Sequence, residues 1–212
     1  LAGYARGIKT SIHVLANTSS LSEHLPHALA TFLRDHPQVN IDAEELESIG
    51  IAEAIAAGRA DIGIAVEQAL PSGIERFPFR DDRLVLVVSM QDDLAHRRVV
   101  DFGTVTTRDF VGLSTTSALQ THLATQAARL GARLRFRARL RDFDAVCRLV
   151  AAGVGIAVVP EAAAKRCARV MAIKPVRIRD AWATRRLAIC VRNLKALPRP
   201  AQQLVAHLRG DD

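Results

Sequence analysis

An α/β fold built from two similar lobes is predicted for this 212-residue chain. Strand patterns and helix patterns alternate along it, which is typical of parallel sheets whose two faces are covered by helices through right-handed crossovers. The two halves also repeat one another. Residues 54–66 (AIAAGRADIGIAV) and 148–159 (RLVAAGVGIAVV) each contain a helix end, an Ala-Ala-Gly step, a short turn and an apolar strand. Such a repeat indicates one structural module used twice.

The first lobe begins with a predicted strand at 10–16 (TSIHVLA), which leads directly into a helix that ends at His36-Pro37. Six apolar residues indicate the helix, because their spacing places them on one face: Leu21, Leu25, Ala28, Leu29, Phe32 and Leu33. The lobe continues with a strand at 39–46, an alanine-rich helix at 51–57 and a strand at 61–66. Gly58 closes the second helix, as a helix C-terminus prefers.

The second lobe follows a stretch at 71–78 that contains proline and glycine, the residues of turns. Its predicted elements are a strand at 83–89, a strand at 110–114, a helix at 116–131, a strand at 133–141, a helix at 145–152 and a strand at 155–160. The chain then has a strand at 186–191 and a helix with five apolar residues on one face, Leu197, Ala201, Leu204, Val205 and Leu208. Their place after the second module suggests that the chain returns to the first lobe.

The strand at 133–141 (RLRFRARLR) has an arginine at every second position. Period-two alternation indicates a half-buried strand with a row of guanidinium groups on one face. This row is either a solubilising face that discourages edge pairing, or a subunit contact or anion-binding surface. The chain has a net charge of +7. Because its arginines are spread over many segments, a basic solvated surface is favoured over direct contact with nucleic acid.

The cysteines, the apolar runs, the histidines and the sequence motifs each bear on which class of protein this chain is. Cys147, Cys167 and Cys190 have no metal-ligand spacing and are expected to be reduced, buried thiols. The longest apolar runs have the length of strands, so we expect a soluble protein that does not enter a membrane. His24 and His27 could offer two metal ligands, but no third ligand matches them, and no metal is expected. No motif for a nucleophile with its base, a phosphate loop or a dinucleotide site is present, so neither an enzyme nor a cofactor is expected.

A polar cluster, Asn17 to Ser20, lies between the first strand and the first helix. Residues 113–118 (LSTTSA) repeat this arrangement in the second lobe. In open parallel sheets ligands bind beyond the carboxyl ends of the strands, where helix N-termini offer unpaired N–H groups. Two such clusters predict a cleft between the lobes that holds a small polar molecule. Helix capping is the alternative explanation, either by a Ser20-Glu23 capping box or by a helix start nearer Ser22.

The chain resembles the effector-binding domain of LysR-type transcriptional regulators over essentially its whole length. The resemblance is carried by LPHALATFLRDHPQVNIDAEE, AIAAGRADIGIAV, RLVLVVSMQDDLAH, FVGLSTT and LVAAGVGIAVVPEAAA in this order. It implies two Rossmann-like lobes joined by two crossing strands, a type 2 periplasmic-binding-protein-like fold. By this resemblance residues 1–7 are the end of a linker helix, residues 8–83 with 187–212 form lobe I, and residues 84–186 form lobe II.

The resemblance also implies a cytoplasmic regulator with a small-molecule effector and with itself as a partner in a homodimer or tetramer. DNA would be bound only through an N-terminal winged helix-turn-helix domain that this chain does not include. A solute-binding protein of a transport system is the alternative function. The odd cysteine count, the linker-like start and the closer match of motifs argue against that alternative.

Twelve effector contacts are predicted. Asn17 and Thr18 follow from the polar cluster after the first strand, and the resemblance implies the other ten, namely Ser19, Ser48, Val66, Glu67, Ser114, Thr115, Thr116, Ser117, Phe143 and Asp144. The loops that contain them have no arginine or lysine, whereas Glu47, Glu67, Asp142 and Asp144 lie in or near them. The sequence therefore leaves the charge of the effector open.

Overall fold

The computed structural model describes residues 10–210, so the predicted end of a linker helix at 1–7 lies outside the described residues. The chain divides into two compact units. Unit 1 contains the residues up to Arg80 and again those from Arg186, and unit 2 is Asp81–Arg185. The chain passes from one unit to the other twice, each time within a strand.

Helices and strands alternate along the chain as predicted. The strands are β1 (Thr10–Ala16), β2 (Val39–Glu45), β3 (Ile62–Val66), β4 (Glu75–Ser89), β5 (Val99–Val100), β6 (Asp109–Leu113), β7 (Arg135–Leu140), β8 (Ala157–Pro160), β9 (Ile173–Ile178) and β10 (Thr184–Val191). The helices are α1 (Leu25–Asp35), α2 (Ser48–Ala56), α3 (Phe102–Val105), α4 (Ala118–Arg129), α5 (Phe143–Ala151), α6 (Glu161–Cys167) and α7 (Arg199–Arg209).

Unit 1 contains a mixed sheet and not the wholly parallel sheet that the alternation predicts. Strands β2 and β3 flank β1 and run parallel to it, whereas β10 lies antiparallel to β3. The predicted apolar face of α1 is confirmed, since Leu25 and Phe32 are buried and the other four residues pack against the same core. Helix α7 packs on α1, where the His207 ring contacts Phe32 and its Nε2 bonds the Ala28 carbonyl at 3.0 Å.

Unit 2 has its own core around β4. Strands β8 and β9 both lie antiparallel to β4, and β5 runs parallel to β9. Strands β6 and β7 form a separate parallel pair. The arginine-striped strand is confirmed as β7, with exposed and half-buried residues alternating along it.

The repeated module is confirmed in its backbone hydrogen bonds. After the end of α2 the N–H of Gly58 donates to the Ile55 carbonyl at 3.0 Å, and after the end of α5 the N–H of Gly153 donates to the Val150 carbonyl at 2.9 Å. In both places the N–H of the residue after the glycine donates to the carbonyl five residues before it. These are the paired bonds of a Schellman motif, which requires a left-handed residue. Gly58 at φ 70° and Gly153 at φ 74° supply it.

Two predicted boundaries are wrong by three residues or more. Helix α2 begins at Ser48 and not at residue 51, so Ser48 lies in the first turn of the helix. Strand β4 begins at Glu75, inside the stretch predicted as a loop. Gly73, at φ 93°, completes the turn before it. Pro78 does not interrupt the strand, because the fixed φ of proline is compatible with extended backbone.

Candidate functional site

The polar cluster after β1 is a helix N-terminus capped by Asn17. Its Oδ1 accepts the N–H of Ser20 at 2.9 Å, and helical backbone begins at Thr18. An N-cap side chain bonded to the third helical residue is the usual capping geometry. Both predicted alternatives are therefore wrong, because Ser20 and Ser22 lie inside the helical segment and the Ser20 Oγ makes no hydrogen bond.

A π-helical turn, Ser20–His24, separates this cap from α1. The N–H of Leu25 donates to the Ser20 carbonyl, five residues back, and α1 then begins at Leu25. Pro26 consequently occupies the first turn of α1, where the missing N–H of proline is tolerated. The turn thus reconciles a continuous helical path with a proline close to its start.

Two buried polar atoms in this N-terminal turn have no hydrogen-bond partner. They are Asn17 Nδ2 and Ser20 Oγ, on residues that are 4% and 0% exposed. A buried donor without a partner destabilises the fold by about 1–3 kcal/mol, so such atoms in a native structure require an explanation. Their neighbour Thr18 differs, since its Oγ1 donates to Glu45 Oε1 at 2.6 Å. Ser19 is buried as well.

Three more predicted residues of unit 1 meet at the start of α2 and the end of β3. The Val66 N–H donates to Ser48 Oγ at 3.0 Å, which leaves the Ser48 O–H free to donate to another group. Glu67 follows directly and pairs with Arg186, whose Nε lies 3.1 Å from Glu67 Oε2. Ser48, Val66 and Glu67 are thus close together, and the carboxylate among them has a cationic partner.

In unit 2 the structure brings the predicted residues 114–117 together in a turn between β6 and α4. Ser114 Oγ and Thr116 Oγ1 are 2.7 Å apart, and the Ser117 N–H donates to the Ser114 carbonyl at 3.0 Å. Thr115 and Thr116 are exposed, whereas Ser117 is buried directly before the first residue of α4. Hydroxyl groups therefore cluster at a second helix N-terminus.

Buried Gln120 holds the end of β6 against this turn. Its Oε1 accepts the Leu113 N–H at 2.9 Å. Gly112 makes room for this bond, because a Cβ at that position would lie 2.5 Å from both Gln120 Oε1 and Phe136 Cε1. Gln120 was not predicted as part of the site, because it belongs to a helix and not to the polar loop.

Phe143 and Asp144 lie at the start of α5 in different environments. The Phe143 ring is buried in the core of unit 2, whereas Asp144 is exposed. Asp144 pairs with Arg166 and accepts the Cys167 thiol at 3.3 Å. The hydrogen bond from Arg166 holds the pKa of Asp144 below its usual range. Asp142 caps α5 by accepting the Ala145 N–H at 2.8 Å.

Neither Arg166 nor Arg186 was predicted as part of the site, because both lie outside the polar loops. Arg166 lies on α6, a short helix that was not predicted, and Arg186 lies in β10. Both reach acidic residues that are distant in sequence. Of the four acidic residues counted near the loops, Glu67 and Asp144 have arginine partners and Asp142 accepts a backbone N–H.

The three cysteines are free and buried, as predicted. Burial raises the pKa of all three thiols, that of Cys190 to about 12. Over residues 10–210 no helix combines the length and the apolar character needed to cross a bilayer. The same residues contain no group of three His, Cys, Asp or Glu side chains that could hold a metal ion.

Comparison with known proteins finds relatives that are transcriptional regulators. The chain is 28% identical over 135 residues to the transcriptional activator protein LysR of Escherichia coli (strain K12), which is 64% of this chain and 43% of that protein. The chain spans about half the length of the curated relatives it matches.

Solved structures share the fold. The regulatory domain of Synechocystis PCC6803 CcmR, solved in complex with 2-PG, has a TM-score of 0.74 at 18% identity, over 95% of this chain and 97% of that one. The BenM effector binding domain with its effector benzoate has a TM-score of 0.67 at 22% identity, over 96% and 92%. The fold is therefore the predicted type 2 periplasmic-binding-protein-like fold. The sequence pattern of one family, the LysR substrate binding domain, matches residues 5–211, and the chain belongs to this family.

Proposed function

We propose that this chain is the ligand-sensing domain of a LysR-type transcriptional regulator and that it acts by binding and not by catalysis. The family match over residues 5–211 supports a regulator over a solute-binding protein of a transport system. In this proposal the full-length protein is cytoplasmic, binds DNA through a separate N-terminal domain and forms a homodimer or tetramer. Effector binding shifts the equilibrium between two conformations of that assembly.

The observation that carries the proposed site is the pair of unsatisfied buried atoms, Asn17 Nδ2 and Ser20 Oγ. An acceptor atom of a ligand would complete their hydrogen bonding. The capped N-terminus that contains them also adds the partial positive charge of a helix N-terminus. We propose that the effector contacts this turn in unit 1 and the hydroxyl turn in unit 2. The remaining proposed contacts are Thr18, Ser19, Ser48, Val66, Glu67, Ser114, Thr115, Thr116, Ser117, Phe143 and Asp144.

A small organic acid is the effector class that the charges favour. The acidic residues near the loops argued against an anion, but Arg186 pairs with Glu67 and Arg166 pairs with Asp144. The negative charge of Glu67 and Asp144 is thereby balanced. Two helix N-termini and their hydroxyl groups can hold a carboxylate without a further cation. The relative BenM was solved with benzoate, which is a carboxylate.

The test is a titration of the chain with a panel of small carboxylates that begins with benzoate, followed by calorimetry on the ligand that binds. Ser20→Ala removes a hydroxyl that has no partner in the structure. We expect it to weaken binding about fivefold to tenfold, as the loss of one hydrogen bond predicts, and to leave the unfolding free energy unchanged or higher. Ser19→Ala and Ser48→Ala are also expected to weaken binding while the domain stays folded.

Ser22→Ala is the matched control. The Ser22 Oγ lies in the same turn but already donates to the Thr18 carbonyl at 2.7 Å. The control is expected to bind the carboxylate as the unmodified chain does. Unchanged affinity in the Ser20, Ser19 and Ser48 variants would contradict the site, and no binding by any carboxylate would contradict the effector class.

A further inference from the structure

One end of unit 2 exposes apolar side chains close to one another. Met90 directly follows β4 and is 52% exposed, and Val170, in the turn before β9, is 81% exposed. The Met90 N–H donates to the carbonyl of exposed Ala172 at 3.0 Å, which holds the two turns together. A single exposed apolar residue is ordinary, but neighbouring ones form a patch that a partner can cover. We call Met90, Val170 and Ala172 the apolar tip of unit 2.

Four exposed cationic side chains lie around the apolar tip, namely Arg97, Arg98, Arg169 and Lys174. Arg169 precedes Val170 in sequence, and Lys174 is the second residue of β9. Arg97 and Arg98 come directly before β5, which runs parallel to β9. The Arg98 carbonyl accepts the Arg177 N–H at 3.2 Å, so this segment lies beside β9. The end of β4 and the starts of β5 and β9 thus surround an apolar surface with positive charge.

The positive charge at the tip is not neutralised within the described part of the chain. Over residues 10–210 no carboxylate pairs with any of the four cations. The acidic residues nearest in sequence already have other partners. Asp92 and Asp93 share Arg108, at 2.6 Å and 2.8 Å, and Asp101 lies 3.0 Å from Arg179. An unbalanced cluster of one sign attracts a ligand of the opposite sign and speeds its association.

We propose that this end of unit 2 binds an acidic segment of another protein. Apolar side chains of that segment would cover Met90 and Val170, and its carboxylates would pair with the four cations. An amphipathic helix with glutamate or aspartate beside its apolar face has this chemistry. Methionine suits such a surface, because its flexible side chain adapts to the shape of a partner. The inference goes beyond the proposed function, which concerns a small molecule and further copies of this chain.

DNA and an anionic membrane are less suitable ligands for the tip. Nucleic acid offers phosphates to the cations, but its bases stack on aromatic rings, and the tip and its four cations include no aromatic residue. Membrane-binding surfaces carry tryptophan or phenylalanine among their apolar residues, whereas the tip offers methionine, valine and alanine. A phosphate surface would pair with the cations and leave the apolar side chains without a partner. An acidic amphipathic segment satisfies both.

The tip is separate from the proposed effector contacts of unit 2. Strand β8 lies antiparallel to β4, and β6 runs parallel to β8 where Phe110 pairs with Ile156. The end of β6, which leads into residues 114–117, therefore points away from the end of β4, which leads into Met90. Changes at the tip should consequently leave carboxylate binding unaltered, so the two sites can be tested independently.

The probe is a synthetic peptide of about 18 residues, long enough to form a helix, with leucine along one face and glutamate and alanine at the other positions. A second peptide has the same composition, but its leucines are spread around the helix. Fluorescence anisotropy measures the binding of each peptide to the 212-residue chain. We expect the amphipathic peptide to bind about tenfold tighter than the second one, and added salt to weaken its binding.

Two variants separate the contributions of charge and apolar contact. Arg169→Glu with Lys174→Glu should raise the Kd of the amphipathic peptide about tenfold or more, because like charges then face each other. Met90→Ser with Val170→Ser should raise this Kd about fivefold, because apolar contact is lost. The second variant should keep the salt dependence of the unmodified chain, since its cations are unchanged.

Arg59→Glu with Arg192→Glu is the matched control, because both side chains are exposed on unit 1 and the change in net charge equals that of the charge variant. It should leave the Kd of the peptide unchanged, and circular dichroism checks that every variant is folded. Equal binding of the two peptides, or a Kd that neither tip variant changes, would overturn the inference.

Three other ligands would also overturn it. The charge variant could lose affinity for a DNA duplex or for phosphatidylserine vesicles while it still binds the peptide, and the tip would then be a polyanion or membrane surface. Loss of self-association in both tip variants, measured by sedimentation, would make a second copy of the chain the partner. Carboxylate binding by every variant should match that of the unmodified chain, which distinguishes failure of this inference from failure of the effector site.

Discussion

His122 on α4 makes the stability of unit 2 depend on pH. Its Nε2 is buried without a hydrogen-bond partner, and its ring centre lies 5.4 Å from that of Trp182. Burial, and then the nearby charges of Arg185 and Arg129, lower the pKa of His122 from 6.5 to about 4. The folded chain therefore resists protonation at a pH where the unfolded chain takes up the proton.

The sign and size of the effect follow from linkage. Between pH 6.5 and about 4 the unfolded state binds more protons at His122 than the native state does, so the free energy of unfolding falls as the pH falls through this window. The two pKa values differ by about 2.5, and each pKa unit corresponds to about 1.4 kcal/mol. His122 accordingly accounts for a loss of up to about 3 kcal/mol.

The assay is urea unfolding at a series of pH values, followed by the fluorescence of Trp182, the single tryptophan of the chain. His122→Gln cannot take up the proton. The free energy of unfolding of the unmodified chain should therefore fall steadily relative to that of this variant as the solution becomes more acidic. His27→Gln, which changes an exposed histidine of α1, is the control and should follow the unmodified chain. Parallel pH profiles for the unmodified chain and His122→Gln would refute the reasoning.

Three further results are expected. Gly112→Ala should lower the free energy of unfolding by about 1–3 kcal/mol, because the new Cβ would lie 2.5 Å from Gln120 Oε1. Gly103→Ala is the control and should not lower it, because the nearest atom to its new Cβ would be 3.7 Å away. Urea unfolding of the two variants measures the difference. Arg185→Met should lower the free energy of unfolding by about 3–5 kcal/mol, because the Asp82 carboxylate stays buried without its guanidinium partner. Adding Asp82→Leu should recover part of the lost stability. The three buried thiols should not react with a disulfide reagent at pH 8 until denaturant is added, and rapid native labelling would show that they are accessible.

Long periodic segments were predictable because local spacing decides which face is buried. The apolar residues of α1 recur with the period of a helix, and the structure buries that face. Strand β1 ends at Ala16, as predicted. The repeated Ala-Ala-Gly step was also readable, since a left-handed glycine at a helix end is a local requirement. None of these features needs a distant partner.

Short elements held by distant contacts were not predicted. Helix α6 has seven residues, and its buried positions are Ala163, Ala164 and Cys167, too small a set for a clear period. Strand β9 contains Pro175, a residue type that strand interiors disfavour, and its pairing with β4 and β5 keeps it in place. The antiparallel pairing of β8 and β9 with β4 likewise depends on where the chain returns to the sheet and not on the residue pattern within each strand.

The order of strand, polar loop and helix was enough to locate both hydroxyl clusters, because helix N-termini follow strand ends in this class of fold. The electrostatics of the candidate site depend instead on residues far apart in sequence. Arg166 reaches Asp144 across 22 residues, and Arg186 in the last strand pairs with Glu67. Hydrophobic periodicity is a property of neighbouring residues and can be read from the chain, whereas ion pairs and unsatisfied buried atoms arise only when distant segments are packed together.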